Sequence, residues 1–155
     1  MAHPAQDEPT TTPGTPNVGV LMFVAHRALE ERSLAAVHAA GATDITPAQA
    51  RLLQRVDPQG TRLGELADRA RVTKQSAGFL VDQLERSGYL ERVPDPTDGR
   101  ARLVRFTGRM RALGAAADAE VAVVLAEWEA HLGPGAMRQL VATLTRLREI
   151  TDPFA

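Results

Sequence analysis

Two short stretches hold side chains whose types and spacing suit a polyanion. "TKQS", residues 73–76, sets a hydroxyl, an ammonium, a carboxamide and a second hydroxyl in a row. Gln75 offers the paired donor and acceptor that match adenine, and Lys74 can donate to guanine or to phosphate. Thr73 and Ser76 can bond phosphate or base edges at a helix N-terminus, where the backbone dipole already favours an anion. "PDPTDGRARLVRFT", residues 94–107, puts Asp98 two positions before Arg100 and continues through Arg102 and Arg105. A carboxylate at that separation is close enough to orient a guanidinium. A hairpin that only closes a sheet needs a two-residue turn, so a longer charged tip is expected to have a role of its own.

The elements that position these groups follow from caps and periodicity. Thr46 with Gln49 three residues on is a capping box, and Pro47 stands at a first helical position, so a helix is expected over about 47–56, closed by the turn chemistry of "DPQG". Leu63, Leu66, Ala67 and Ala70 mark a short helix, with Thr61 expected to cap it. "RVT" then makes a tight link, and Thr73 caps a helix running to Ser87, with Gly88 as its stop. Ala77, Leu80, Val81 and Leu84 form the buried face of that helix, leaving Lys74, Gln75, Ser76, Gly78, Phe79 and Gln83 outward. Two short helices joined this way, the second polar at its exposed start, have the layout of a helix-turn-helix, although an ordinary helical hairpin has it too.

The next residues separate the two readings. "YLERV" and "ARLVRFT" are strand-like, with Leu90, Val93, Leu103, Val104 and Phe106 free to pack back on the helices. A helix-turn-helix followed by a β-hairpin is a winged helix, and Arg100 then stands on the wing. Arg102 and Arg105 reach phosphate or face water. Phe79 either contacts a thymine methyl or packs on its neighbours.

Around this region lie apolar stripes with no partner inside it. A long helix is expected from Val18 to Ala40, ending at Gly41. Leu113, Ala117, Val121, Val124 and Trp128 step by three and four, and beyond "GPG" so do Met137, Leu140 or Val141, Leu144 and Leu147. A second copy of the chain in a two-fold dimer is the economical way to bury them. The expected fold class is mostly α with a small β-hairpin wing. Its organisation is a disordered Pro/Thr-rich tail at 1–16, a winged helix-turn-helix DNA-binding domain at 47–107, and a helical dimerisation region at 17–46 and 108–155.

Composition excludes several other classes. The net charge is −1, but residues 51–111 hold 13 of the 18 Lys and Arg and 8 of the 19 Asp and Glu, so a basic middle sits between acidic flanks. There is no cysteine, which removes disulfides, thiolate metal sites and thiol redox sensing. His3, His26, His38 and His131 are scattered without ligand spacing, so neither a metal nor a cofactor is expected. The longest apolar run, "VGVLMFVA", stops at His26 and Arg27, far short of a membrane span. The N-terminus does not read as a signal peptide, and a cytoplasmic location is expected. No Ser/His/Asp arrangement with a Gly-x-Ser-x-Gly turn and no phosphate-cradling loop points to an enzyme.

From about residue 18 to 150 the sequence resembles the MarR family of winged-helix transcriptional regulators. The resemblance rests on "LGELADRARVTKQSAGFLVDQLERSGYLERV" and above all on "DPTDGRARLVRFT", which matches the family's Asp-x-Arg wing followed by a strand and a Thr. It implies a triangular, mostly α homodimer on a palindromic double-stranded operator, with the residue at Arg100 in the minor groove. It also implies release of DNA when a small molecule enters a cleft between lobe and dimer region. The family often has Gly three residues after the closing Thr; here Thr107 is followed by Gly108, Arg109 and Met110, which leaves the first turn of the next helix open. The lack of cysteine sets the chain apart from the peroxide-sensing branch. Repression rather than activation follows only from family habit.

His26, Arg27 and Trp128 are the candidates for a phenolic or aromatic effector. The plainer readings are a Trp in a core or dimer interface and a structural His. The competing function is a winged helix used for protein contacts, or an architectural DNA binder without a ligand. "TKQS" beside a basic wing lacks the apolar anchors of a docking surface.

Overall fold

In the computed structural model, residues 16–154 are described, and all of the expected tail except Pro16 lies outside them. The chain begins with a long helix, α1 (Val18–Ala39), whose N-cap Asn17 accepts from the Gly19 and Val20 amides. Helix α2 (Pro47–Leu53) carries the expected capping box, with the Gln49 side chain accepting from Thr46 N–H at 2.8 Å. It stops at Leu53, three residues earlier than its periodicity promised, because Arg55 and Val56 bond back in single turns to Leu52 and Leu53.

The next element was missed from sequence. Thr61 does not cap α3; with Arg62 it forms a two-residue strand, β1 (Thr61–Arg62), antiparallel to the returning wing strand. The Thr61 hydroxyl instead accepts from the Asp57 amide at 2.9 Å, closing the turn before the strand. Two residues are too few for an alternation to register. Helices α3 (Leu63–Ala70) and α4 (Lys74–Arg86) follow as expected, α4 capped by Thr73 and ended at Ser87, with Gly88 in the left-handed region.

The wing is β2 (Leu90–Asp95) and β3 (Asp98–Phe106), and the sheet order is β1-β3-β2. Beyond it, α5 (Gly108–Leu132) starts cleanly, since the Thr107 hydroxyl accepts from Met110 N–H at 3.2 Å and donates to the Gly88 carbonyl at 2.7 Å. The question left open by the Gly108-Arg109-Met110 segment is thereby answered. Gly133 breaks the chain and Pro134 starts α6 (Pro134–Thr151).

One core lies between α2, α3, α4 and the sheet. Leu52, Leu66, Val81, Leu84, Tyr89, Leu90 and Val104 are at most 1% exposed. Helices α1 and α5 pack against each other, and Arg32 on α1 bridges Glu120 and Glu127 on α5. Tyr89 ties the lobe to these helices: its hydroxyl donates to Asp44 in the α1–α2 link, and the Arg109 guanidinium stacks on its ring at 4.5 Å. The apolar faces of α1's first turns, the end of α5 and α6 remain uncovered.

Candidate nucleic-acid interface

The start of α4 is presented by its cap. Thr73 Oγ1 accepts from Ser76 N–H at 3.1 Å and donates to Ser76 Oγ at 2.8 Å, so these two side chains hold the first turn together. Lys74 and Gln75, exposed between them, have no intramolecular partner among the described residues. Phe79, one turn after Gln75, is 60% exposed, so the packed alternative for it does not hold within one chain. The outward stripe ends at Gln83, whose carbonyl oxygen accepts from the buried Gln49 amide at 3.1 Å and fastens α4 to α2.

The wing tip differs from the sequence reading. Asp95 pairs with Asp98 across only Pro96 and Thr97, so the turn itself is two residues long. The departure lies beside it, where the register jumps from Pro94↔Arg102 to Asp95↔Asp98 and leaves Gly99, Arg100 and Ala101 unopposed on β3. A bulge of this kind bends the strand and re-aims its side chains. Arg100 stands on it, exposed, and its guanidinium has no partner among the described residues.

Asp98 does not orient that guanidinium. Its carboxylate accepts from the Arg100 backbone N–H at 3.1 Å, fixing the bulge rather than the side chain. The carboxylate that organises the wing is Asp95, which is buried. It accepts from Thr97 N–H at 2.8 Å, from Thr97 Oγ1 at 2.7 Å and from Arg62 Nε at 2.8 Å. These bonds to the ionised form, those from Thr97 first, hold its pKa down to about 2. At the wing's root, Arg92 donates to Asp82 at 2.6 Å and to Glu85, which bolts β2 to α4. Arg102, exposed, is already engaged through Nη2 with the Arg92 carbonyl at 2.9 Å, and Arg105 pairs with Glu91 at 2.9 Å.

Sequence reasoning missed Arg62, Asp95 and Arg92 as positioning groups. Arg62 and Asp95 are 33 residues apart, and only the unforeseen β1 brings them together.

The candidate effector residues separate. His26 and Arg27 line a cavity of about 450 Å³ with Phe23, Glu30, Leu34 and Arg51. Trp128, half-buried on α5, is not among its lining residues. Next to it, sharing Glu30 and Leu34, is a more apolar cavity of about 250 Å³ between α1, α2 and α5, walled by Leu53, Phe106, Met110 and Ala117 with Ser33 and Asp118 at its edge. Neither a three-residue cluster able to hold a metal nor a helix long and apolar enough to cross a membrane occurs among the described residues.

The same region carries the likeness to known proteins. A model of the MarR family matches residues 43–101. A transcriptional regulator from Thermotoga maritima superposes with a TM-score of 0.60 at 25% identity, covering 85% of this chain and 92% of that one. Over residues 43–101 the chain is similar to the MarR family. Its members are transcriptional regulators rather than enzymes. A MarR family protein of Mycobacterium tuberculosis in complex with salicylic acid is 27% identical, with a TM-score of 0.62 over 88% of this chain and 99% of that one. Wild-type MarR of E. coli in its apo form, 21% identical, shares the fold at a TM-score of 0.66 over 86% and 98% of the two chains. NadR in complex with 4-hydroxyphenylacetate, 22% identical, does so at 0.67 over 90% and 98%. No curated protein sequence matches significantly.

Proposed function

We propose that the protein is a cytoplasmic homodimeric repressor that binds a palindromic operator. In this reading residues 47–107 bind DNA, and residues 17–46 and 108–155 form the dimer region. Thr73, Lys74, Gln75 and Ser76 enter the major groove, with Phe79 against a thymine methyl, while Arg100 enters the minor groove and Asp98 and Arg102 hold the wing in register. The observation that carries this reading is the contrast in partners: Arg62, Arg92 and Arg105 are spent on carboxylates, whereas Lys74, Gln75 and Arg100 face outward without any.

The dimer is supported by α1. Val18, Val20, Leu21, Met22, Phe23 and Val24 are all exposed in one chain, and a helix apolar on every side is buried in its working state. Two lobes related by a two-fold axis would read half-sites about 10 base pairs apart. If the dimer neutralises roughly eight phosphates, the log-log salt slope is about −7.

For the effector, the apolar cavity beside α1 and α5 supports a small phenolic ligand. Ser33 and Asp118 offer acceptors for a hydroxyl, while Glu30 is already bonded through both oxygens to Arg51, and Asp118 opposes a carboxylate placed there. An aromatic acid would have to turn its carboxylate toward His26, Arg27 and Arg51 in the adjoining cavity, where Arg27 already pairs with Glu31 and Arg51 with Glu30. The salicylate and 4-hydroxyphenylacetate held by the two ligand-bound relatives are of this size and kind.

Fluorescence anisotropy with DNA from just upstream of the gene tests the central reading. Wild type is expected to prefer that DNA over random sequence with a steep salt slope, and Arg100→Ala to bind at least tenfold more weakly, about 1.4 kcal/mol. Equal affinity for both DNAs, or no effect of the substitution, would favour a protein-docking winged helix.

A further inference from the structure

A third cavity, of about 460 Å³, lies where the ends of α2 and α3 meet the C-terminal segment after α6. Its walls bring together the guanidiniums of Arg55, Arg69, Arg71 and Arg148 against only two lining carboxylates, Asp57 and Asp152. Those two are taken: Asp57 accepts from Arg69 Nη1 at 2.9 Å and Asp152 from Arg148 Nε at 2.9 Å. Arg55 and Arg71 have no side-chain partner among the described residues, so the cavity keeps an uncompensated positive charge. Phe154 closes one side, its ring centroid 5.8 Å from the Arg69 guanidinium carbon, while Arg69 Nε is buried without a hydrogen-bond partner.

Arg71 adds an independent observation. It caps α3 at φ 56° and ψ 41°, and among the described residues it is the one non-glycine with a positive φ. Glycine is the default at such a helix end, because a side chain there crowds the following carbonyl. Folding alone is better served by glycine at position 71. Strain of this kind clusters at ligand-binding and switch sites.

We propose that this cavity binds a small organic phosphate, with Arg55 and Arg71 as its principal donors and Phe154 against the organic part. Planar guanidiniums that line one cavity from three parts of the chain suit a phosphate dianion's oxygens, and the volume falls in the range of small-molecule sites. A bound dianion would bridge the lobe to the end of α6. This site meets the apolar cavity at α1 and α5 only at Gln54, which lines both, and includes no residue of α4.

Calorimetric titration of phenyl phosphate into the full chain, in a phosphate-free buffer, tests the assignment, with Arg55→Gln and Arg71→Gly as variants. The wild type is expected to bind at sub-millimolar concentration and each variant at least tenfold more weakly. Arg71→Gly is also expected to melt about 3 °C higher, because the strain is relieved; loss of binding then cannot be ascribed to misfolding. Operator affinity of Arg71→Gly, measured beside Arg100→Ala, should stay within twofold of wild type. Failure of the operator reading shows in Arg100→Ala alone and leaves the phosphate titration standing. No heat from phenyl phosphate at millimolar concentration, or undiminished binding by Arg71→Gly, overturns the proposal. So does a loss of operator affinity in Arg71→Gly comparable to that of Arg100→Ala, which would assign Arg71 to the DNA face.

Discussion

The lobe built from α2, α3, α4 and the sheet, and the arms built from α1, α5 and α6, use similar apolar residues to opposite ends. In the lobe, Leu52, Leu66, Val81, Leu84 and Val104 are closed off within one chain. In the arms, Phe23 is 60% exposed, Val141 53% and Ile150 85%. The lobe's short elements come from close in sequence and fold around a common centre, so their apolar faces find one another, with Phe79 and Val72 left out. The arms are long helices that pack in part, α1 on α5, and keep a second stripe that stays exposed among the described residues. One region is complete in a monomer, and the other leaves apolar faces uncovered, as the proposed dimer requires.

The largest expected effect lies in the lobe. Leu84 is 1% exposed on the inner face of α4. Leu84→Ala leaves a cavity that the surrounding helices and sheet cannot collapse, and should lower unfolding free energy by about 3 kcal/mol in a urea titration. An effect below about 1 kcal/mol would mean that the lobe is loosely packed and the contrast with the arms is false.

Next is the arm. Val141→Glu introduces a charge into the α6 stripe without touching the lobe core. Sedimentation should show association lost or weakened at least tenfold, while far-ultraviolet circular dichroism keeps the helical signal. A variant that sediments like the wild type would remove α6 from the proposed seam and leave the first turns of α1 as its main element.

The same contrast explains what the sequence disclosed. Helices α2 and α4 were readable because their caps are local: Thr46 with Gln49, and Thr73 with Ser76, lie within one turn. The buried face of α4 followed from its spacing, and Ala77, Val81 and Leu84 are indeed closed off. The strand β1 was not readable, since two residues carry no period and Thr61 resembles a helix cap. The wing was legible as a charged hairpin, but not the geometry of its tip. The turn is short, and the bulge across from Pro94 is what isolates Arg100. Asp98 looked like the carboxylate that orients Arg100 because it is near in sequence. Asp95, whose partner Arg62 comes from another element, could be identified only in three dimensions.

The smallest expected effect refines that last distinction. Asp95, with a pKa of about 2 in the fold, is well below the ordinary carboxylate value of about 3.9. A depressed carboxylate pKa contributes stability that is complete above the ordinary value and is lost as pH falls through the folded one. The contribution from the Thr97 and Arg62 bonds is therefore constant from neutral pH down to about 4 and fades between about 4 and 2. Asn at position 95 cannot ionise, so Asp95→Asn should melt below wild type at pH 7 by a modest margin, and the gap should close between pH 4 and 2. Asp98→Asn, which removes the charge of a carboxylate bonded only to the Arg100 backbone and 3.7 Å from Arg62, should show a smaller gap at pH 7 and little change in it over the same window. Thermal melts of the three proteins across that range decide the matter. A gap for Asp98→Asn that equals or exceeds that of Asp95→Asn would shift the wing's anchor from its buried carboxylate to its exposed one, and with it the account of how the bulge holds Arg100 outward.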